Sequence, residues 1–179
     1  MKRKTFFILF GSTLLFIGLI IWYRLPKELN NTYEGVLFNL GTENSATEKI
    51  VNVELNGKVQ RSLFGYKTYK GTIVIDGEVI PPLTARYAEV EFKVGSGYSN
   101  GNTIQFIDDD LDGNYIFGTI YISDDLSALT IAINEQLELG GSQWDSGDGL
   151  VLSAPATTRK AALNITNELM KHQSLDPFE

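Results

Sequence analysis

Cysteine is absent from this chain, so neither disulfides nor thiolate metal sites can hold it together, and packing must. The same absence removes any lipid-modified cysteine as a membrane anchor, because there is no thiol to acylate. Histidine is nearly absent: His172 is the single one. With no cysteine and no G-x-S-x-G, any nucleophile paired with an imidazole would have to use that residue alone. A histidine near the end of a terminal helix is explained by solvation and the helix dipole. No alanine occurs before Ala46, so the N-terminal region lacks the small-residue site that a cleaved signal peptide needs.

What the N-terminal region has instead is a run from Thr5 to Tyr23 with no charged side chain. At helical rise it spans about 28 Å, close to the thickness of a bilayer's hydrocarbon core. Lys2, Arg3 and Lys4 precede it, and with the terminal amine they outweigh Arg24 and Lys27 on the far side. The positive-inside bias then puts residues 1–4 in the cytoplasm and the remainder outside. Trp22 and Tyr23 suit the interfacial aromatic belt, Arg24 can snorkel, and Pro26 ends the helix. Gly11 and Gly18 are seven apart and form no G-x-x-x-G pair. The expectation is a single-pass cell-membrane protein that meets lipid through residues 5–23, with a tether over 24–32 and one domain over 33–179.

Cations are scarce from Glu28 to Glu179. Five of the 15 Lys and Arg lie in the first 27 residues, leaving ten against 22 Asp and Glu, a net charge of −12. Such a surface repels nucleic acid and anionic headgroups, and it favours cations or basic partners if it does more than confer solubility.

From Tyr33 onward the hydrophobic pattern has period two, the signature of strands with one dry and one wet face. Val51, Val53 and Leu55 alternate with polar residues up to Asn56-Gly57, which predicts a tight hairpin. Asp76-Gly77 predicts another, and Pro81-Pro82 a strand end or sheet edge. Ala88, Val90, Phe92 and Val94 oppose Glu89, Glu91 and Lys93; the two glutamates read as a wet face rather than paired catalytic acids. Gly95 to Asn102 is a loop lacking the helix and lysine of a phosphate cradle. Asn114 to Ser123 is apolar at both parities, as expected of a central strand, and pairs through Asp124-Asp125 with Ser127 to Asn134. After a polar loop over 135–149 and a short strand at Leu150, helical spacing appears in Ala161, Ala162, Ile165 and Leu169, capped by Thr157 or Thr158. The predicted fold is mainly β: an N-terminal transmembrane helix, an antiparallel β meander closed as a small barrel or folded as a sandwich, and one C-terminal amphipathic helix. An up-and-down barrel with the helix on its outside is similar in architecture to the lipocalin group.

The strongest chemical motif is Asp108-Asp-Asp110-Leu-Asp112-Gly-Asn114. Alternating oxygens with a glycine at the sharp turn match the front half of a calcium loop, making Asp108, Asp110, Asp112 and Asn114 candidate ligands for Ca²⁺. The back half fails: Thr119 stands where a bidentate Glu belongs, and strands flank the loop. Asp124 and Asp125 cannot complete the site through their own strand, which carries them about 30 Å away. The competing reading is an acidic hairpin turn. Asp145-Ser-Gly147 matches a triplet of aspartic proteases but has no second copy, and a glycine turn explains it. Tyr98 and Trp144 are aromatics in polar loops, either plugs of the β core or contacts for a ligand or partner.

These residues predict a membrane-anchored, extracytoplasmic, non-enzymatic β domain that binds a protein, an envelope component or a small ligand. Two rival readings are a carboxylate- or metal-dependent envelope enzyme and a structural subunit of a membrane complex. Nucleic acid is excluded as a partner by charge.

Overall fold

The computed structural model describes residues 2–41, 48–80, 82, 89–94, 101–108, 113–137, 141–173 and 176–179, with side chains described from Phe7 onward except at 108, 113 and 114. Helix α1 runs Lys2–Arg24, extending the apolar stretch through its flanking cations. Within it, the Ser12 and Thr13 hydroxyls both donate to the Leu9 carbonyl at 2.9 Å. Both hydroxyls are thereby folded back onto the helix backbone. The helix stops one residue before Leu25-Pro26, as the sterics of a residue preceding proline require.

The strands are β1 (Lys27–Asn39), β2 (Lys49–Arg61), β3 (Lys67–Ile75), β4 (Glu78–Ile80), β5 (Val90–Val94), β6 (Asn102–Asp108), β7 (Gly113–Ile122), β8 (Leu129–Ile133), β9 (Glu135–Gln136), β10 (Ser142–Gln143) and β11 (Leu150–Ala154). All pairings are antiparallel. β9 and β10 form a small separate hairpin; the rest make one curled sheet in the order β4-β3-β2-β1-β11-β8-β7-β6, with β5 also on β3. β5 takes Lys67 to Gly71 of β3 and β4 takes Ile73 to Ile75, so two short strands share that edge. The sheet is the expected antiparallel one, curled into a half-barrel, with β11 inserted between β1 and β8.

Two local expectations are corrected. Residues 27–32, expected to lie in a tether, are strand: β1 starts at Lys27 and pairs with β2 from Lys27↔Val59 to Leu37↔Lys49. Nor does Asn56-Gly57 turn. β2 runs straight through it, with Asn56↔Thr72 and Gly57↔Gly71 as ladder partners, and the reversal comes at Ser62 to Tyr66. The inward alternation of Val53, Leu55 and Val59 simply continues across Gly57, which stands at an inward position. At Asp76-Gly77 the turn is as expected: φ values of 50° and 90° are the paired positive angles of a tight hairpin. β4 ends at Ile80, just before the prolines.

The concave side is filled. Val53, Leu55, Tyr69, Ile73, Ile131 and Leu152 have essentially no exposed surface, and Tyr69 stacks on Phe92 at 4.6 Å. Each such side chain contributes about 1.5–3 kcal/mol by leaving water. The convex side carries α2 (Arg159–Leu169), whose N-cap Thr158 accepts from the Ala161 N–H at 3.3 Å. Ala162 and Met170 pack there on Val36, Phe38 and Val151. β8 and β11 are therefore covered on both faces, which is why residues of both parities are buried along them. At the open seam, Asn102 of β6 imitates a strand against β5: its amide accepts from the Lys93 N–H and donates to the Lys93 carbonyl, both at 3.1 Å.

Candidate functional site

The outward face of β1 changes character halfway along. Val36 and Phe38 lie beneath α2, whereas Glu28, Asn30, Thr32 and Glu34 share their parity but lie beyond the helix and are exposed. There the outer surfaces of β1, β2, β3 and the start of β5 form a groove of about 640 Å³ that begins at Pro26, two residues after the end of α1. β1 contributes Glu28 and Asn30, β2 contributes Lys58 and Gln60, β3 contributes Thr68 and Lys70, and Glu89 and Glu91 stand on the far wall. Strand spacing of about 4.8 Å holds these groups in fixed rows.

The groove's electrostatics are mixed and open to solvent. Lys70 Nζ lies 3.1 Å from Glu89 Oε2, with each side chain more than half exposed (58% and 57%). A pair in that setting is worth about 0–1 kcal/mol, so either charge can be given up to a ligand. Amides, hydroxyls, carboxylates and ammonium groups together make a hydrogen-bonding surface, with no aromatic ring among the described lining residues. Sequence reading identified Glu89 and Glu91 as a wet face. It did not find Glu28, Lys58 or Lys70 as their neighbours, since only the register joins them.

Asp108 closes β6 and Asn114 is the second residue of β7, with Ile107↔Asn114 and Asp108↔Gly113 as partners. The backbone thus brings the two strand ends together around residues 109–112, while Asp110 and Asp112 lie outside the described residues, as does Tyr98. Among the described residues no group of three or more His, Asp or Glu could hold a metal ion. The seam between β5 and β6 forms a second groove, of about 510 Å³, lined by Val90, Glu91, Gln105 and Phe106 among others.

Trp144 is half-buried at the rim of the α2 cluster. Its indole N–H donates to the Leu150 carbonyl at 3.1 Å, and its ring meets Phe178 edge-on at 6.1 Å. Asp145 is engaged in its own turn, its carboxylate accepting from the Gly147 N–H at 2.6 Å and its carbonyl from the Gly149 N–H at 2.9 Å. In the turn after β7, Asp125 accepts from the Ser123 hydroxyl at 2.7 Å and from the Ser127 hydroxyl and N–H at 2.6 and 3.0 Å. These hydrogen bonds, those of the Ser127 hydroxyl first, lower its pKa to about 2. His172 is exposed in the turn that follows α2. Comparison with protein-family models, curated proteins and solved structures gives no match.

Proposed function

We propose that this chain is a single-pass, membrane-anchored, extracytoplasmic binding domain, non-enzymatic, whose polar groove receives a hydroxyl- and amide-bearing component of the cell envelope. The observation that carries the reading is the connection between α1 and the sheet. The apolar stretch Phe7–Arg24 is nowhere buried against the domain, and only Leu25 and Pro26 separate α1 from β1. An inserted helix therefore holds the groove at the membrane surface, Glu28 lying about 7 Å along the strand from Pro26. The positive-inside bias of Lys2, Arg3 and Lys4 supports an outward-facing domain. Because side chains fill the concave side, an exposed polar ligand fits this protein better than an apolar one held inside a barrel.

The test uses the full chain expressed in bacterial cells. Glu78→Cys, the sole thiol in that variant, is expected to react with a membrane-impermeant maleimide in intact cells, with the protein in the carbonate-resistant membrane fraction. Labelling only after lysis, or a soluble protein, overturns the placement. For binding, the wild type in detergent is expected to sediment with protein-free cell-wall sacculi, and Lys58→Glu with Lys70→Glu to lose at least about tenfold of that affinity, since two ligand-facing charges are reversed. Equal sedimentation of both proteins overturns the groove as the binding surface. A stoichiometric protein that co-purifies from detergent, with no sacculus binding, favours the structural-subunit reading instead.

A further inference from the structure

Among the described residues, the most exposed large apolar side chain outside α1 belongs to the turn between β2 and β3. Phe64 is 89% exposed and its neighbour Leu63 is 57% exposed. A folded domain ordinarily covers such a pair, and their location indicates what covers them. β2 is paired with β1 as far as Lys27↔Val59, so the chain beyond Val59 runs back past the start of β1 toward the end of α1. Arg61 confirms the approach, its guanidinium lying 5.9 Å from the centre of the Tyr23 ring. Leu63 and Phe64 lie two and three residues further on, in the turn that follows this contact with Tyr23. The Trp22 and Tyr23 rings are exposed as well.

We propose that the turn Ser62 to Tyr66 is a second membrane contact, with Leu63 and Phe64 seated in the interfacial layer of the bilayer that α1 crosses. The inference rests on the reading of α1 as an anchor and adds a fixed posture to it. Two further features fit a lipid occupant. The turn satisfies its own backbone: the Ser62 N–H donates to the Tyr66 carbonyl at 2.8 Å, the Gly65 N–H to the Ser62 carbonyl at 3.3 Å, and the Phe64 N–H to the Ser62 hydroxyl at 3.1 Å. Entry into an apolar layer then leaves few unpaired polar groups. Cations also ring this end of an otherwise acidic domain. Arg24, Lys27 and Arg61 are at headgroup level, with Lys27 Nζ 5.7 Å from the Trp22 ring, and such residues draw a surface toward anionic lipid. With α1 and the turn both engaged, the half-barrel cannot swing freely, and the groove beside Pro26 keeps a constant height above the bilayer.

The absence of native cysteine makes the test direct. Single nitroxide labels are placed on the full chain at Ile17→Cys, Phe64→Cys and Glu78→Cys, and each protein is reconstituted into vesicles of phosphatidylethanolamine and phosphatidylglycerol. Collision with oxygen, which concentrates in lipid, is compared with collision with a water-soluble nickel chelate. The expected result is an oxygen-to-nickel ratio at Phe64 several-fold above that at Glu78, approaching that at Ile17. A ratio at Phe64 equal to that at Glu78, with Ile17 in lipid, overturns the second contact and leaves the anchor standing. A ratio at Ile17 equal to that at Glu78 overturns the anchor and this inference together. A Phe64→Ser variant, with oxygen access then read from a label at Leu63→Cys, is expected to lower the ratio there, whereas an unchanged ratio counts against burial of the phenyl ring.

Discussion

Gly57 and Gly71 face each other across β2 and β3 so closely that a Cβ on Gly57 would stand 2.8 Å from Gly71 Cα, and a Cβ on Gly71 2.5 Å from Gly57 Cα. Ordinary side chains cannot occupy a cross-strand pair at that separation. The Tyr69 hydroxyl would also lie 2.9 Å from the added Gly71 atom; it donates instead to the Thr72 carbonyl at 2.8 Å. The glycine pair therefore lets the sheet pinch and gives the inward tyrosine its place beneath the groove.

Gly71→Ala is expected to destabilise the domain by about 1–3 kcal/mol, because the nearest obstacle is the Asn56 carbonyl oxygen at 2.3 Å, part of a backbone that cannot step aside cheaply. Gly77→Ala meets no atom within 4 Å and costs only the strain of its φ of +90°, about 1 kcal/mol. Thermal melts of both variants in the same detergent check the order. Equal losses would mean that the close approach is not what selects glycine.

Where the sequence was readable and where it was not follows from the range of each interaction. β7 and β8 announced themselves through turn chemistry at Asp124-Asp125 and apolar residues at both parities, and α2 through its spacing and the Thr158 cap, all local signals. The contact of β1 with β11 joins residues more than a hundred positions apart, and nothing nearby in the chain encodes it. Asn56-Gly57 misled because a glycine needed for close approach looks the same in sequence as a glycine needed for a turn. The groove shares the difficulty of β1 and β11: its residues come from four strands, and only their register makes them neighbours.

The hydroxyls of Thr130, Ser153 and Thr166 form a fully buried chain tying β8 to β11 and β11 to α2, with both hydroxyl contacts at 2.8 Å. Its direction is fixed from one end. The Thr166 hydroxyl donates its hydrogen to the Ala162 carbonyl at 3.1 Å, so Ser153 must donate to Thr166 and Thr130 to Ser153. Ser153→Ala strands the Thr130 hydrogen and is expected to cost about 1–3 kcal/mol, whereas Thr130→Val removes only a terminal donor and costs less. The triple replacement Thr130→Val, Ser153→Ala, Thr166→Val is expected to cost less than the three single changes added together. Denaturant unfolding of the set decides the matter, and strict additivity would contradict a connected chain.

Acid sensitivity is expected from Asp125. Its folded pKa of about 2 lies below the ordinary carboxylate value, so the ionised form is favoured by folding. The stabilisation is present above the unfolded value of about 3.9 and disappears as pH falls toward 2. Asp76 acts in the same direction, its carboxyl held below its usual value chiefly by the hydrogen bond from Lys49 and then by the Asn52 N–H. The melting temperature of the wild type should exceed that of Asp125→Asn most clearly above pH 5, with the gap closing toward pH 2. A gap that widens on acidification would reverse the sign of the argument.

The C-terminal tail is tied down by polar clamps that make Trp144 a reporter of its docking. Asn167 grips Phe178 twice, its side chain accepting from the Phe178 N–H at 2.7 Å and donating to the Phe178 carbonyl at 3.1 Å. Arg159 adds contacts to the carbonyls of Gly41 at 2.9 Å and Glu179 at 3.2 Å. Phe178 is buried between this clamp and the indole, so Phe178→Ala is expected to cost about 3 kcal/mol and to shift Trp144 emission to longer wavelength as water reaches the ring. Trp22 supplies the other indole signal, and a Trp22→Phe background isolates the change. If the emission holds while stability falls, the indole is kept in place by its hydrogen bond to Leu150, not by the tail. A ring shielded in that way would be a fixed part of the wall rather than a surface free to meet a partner.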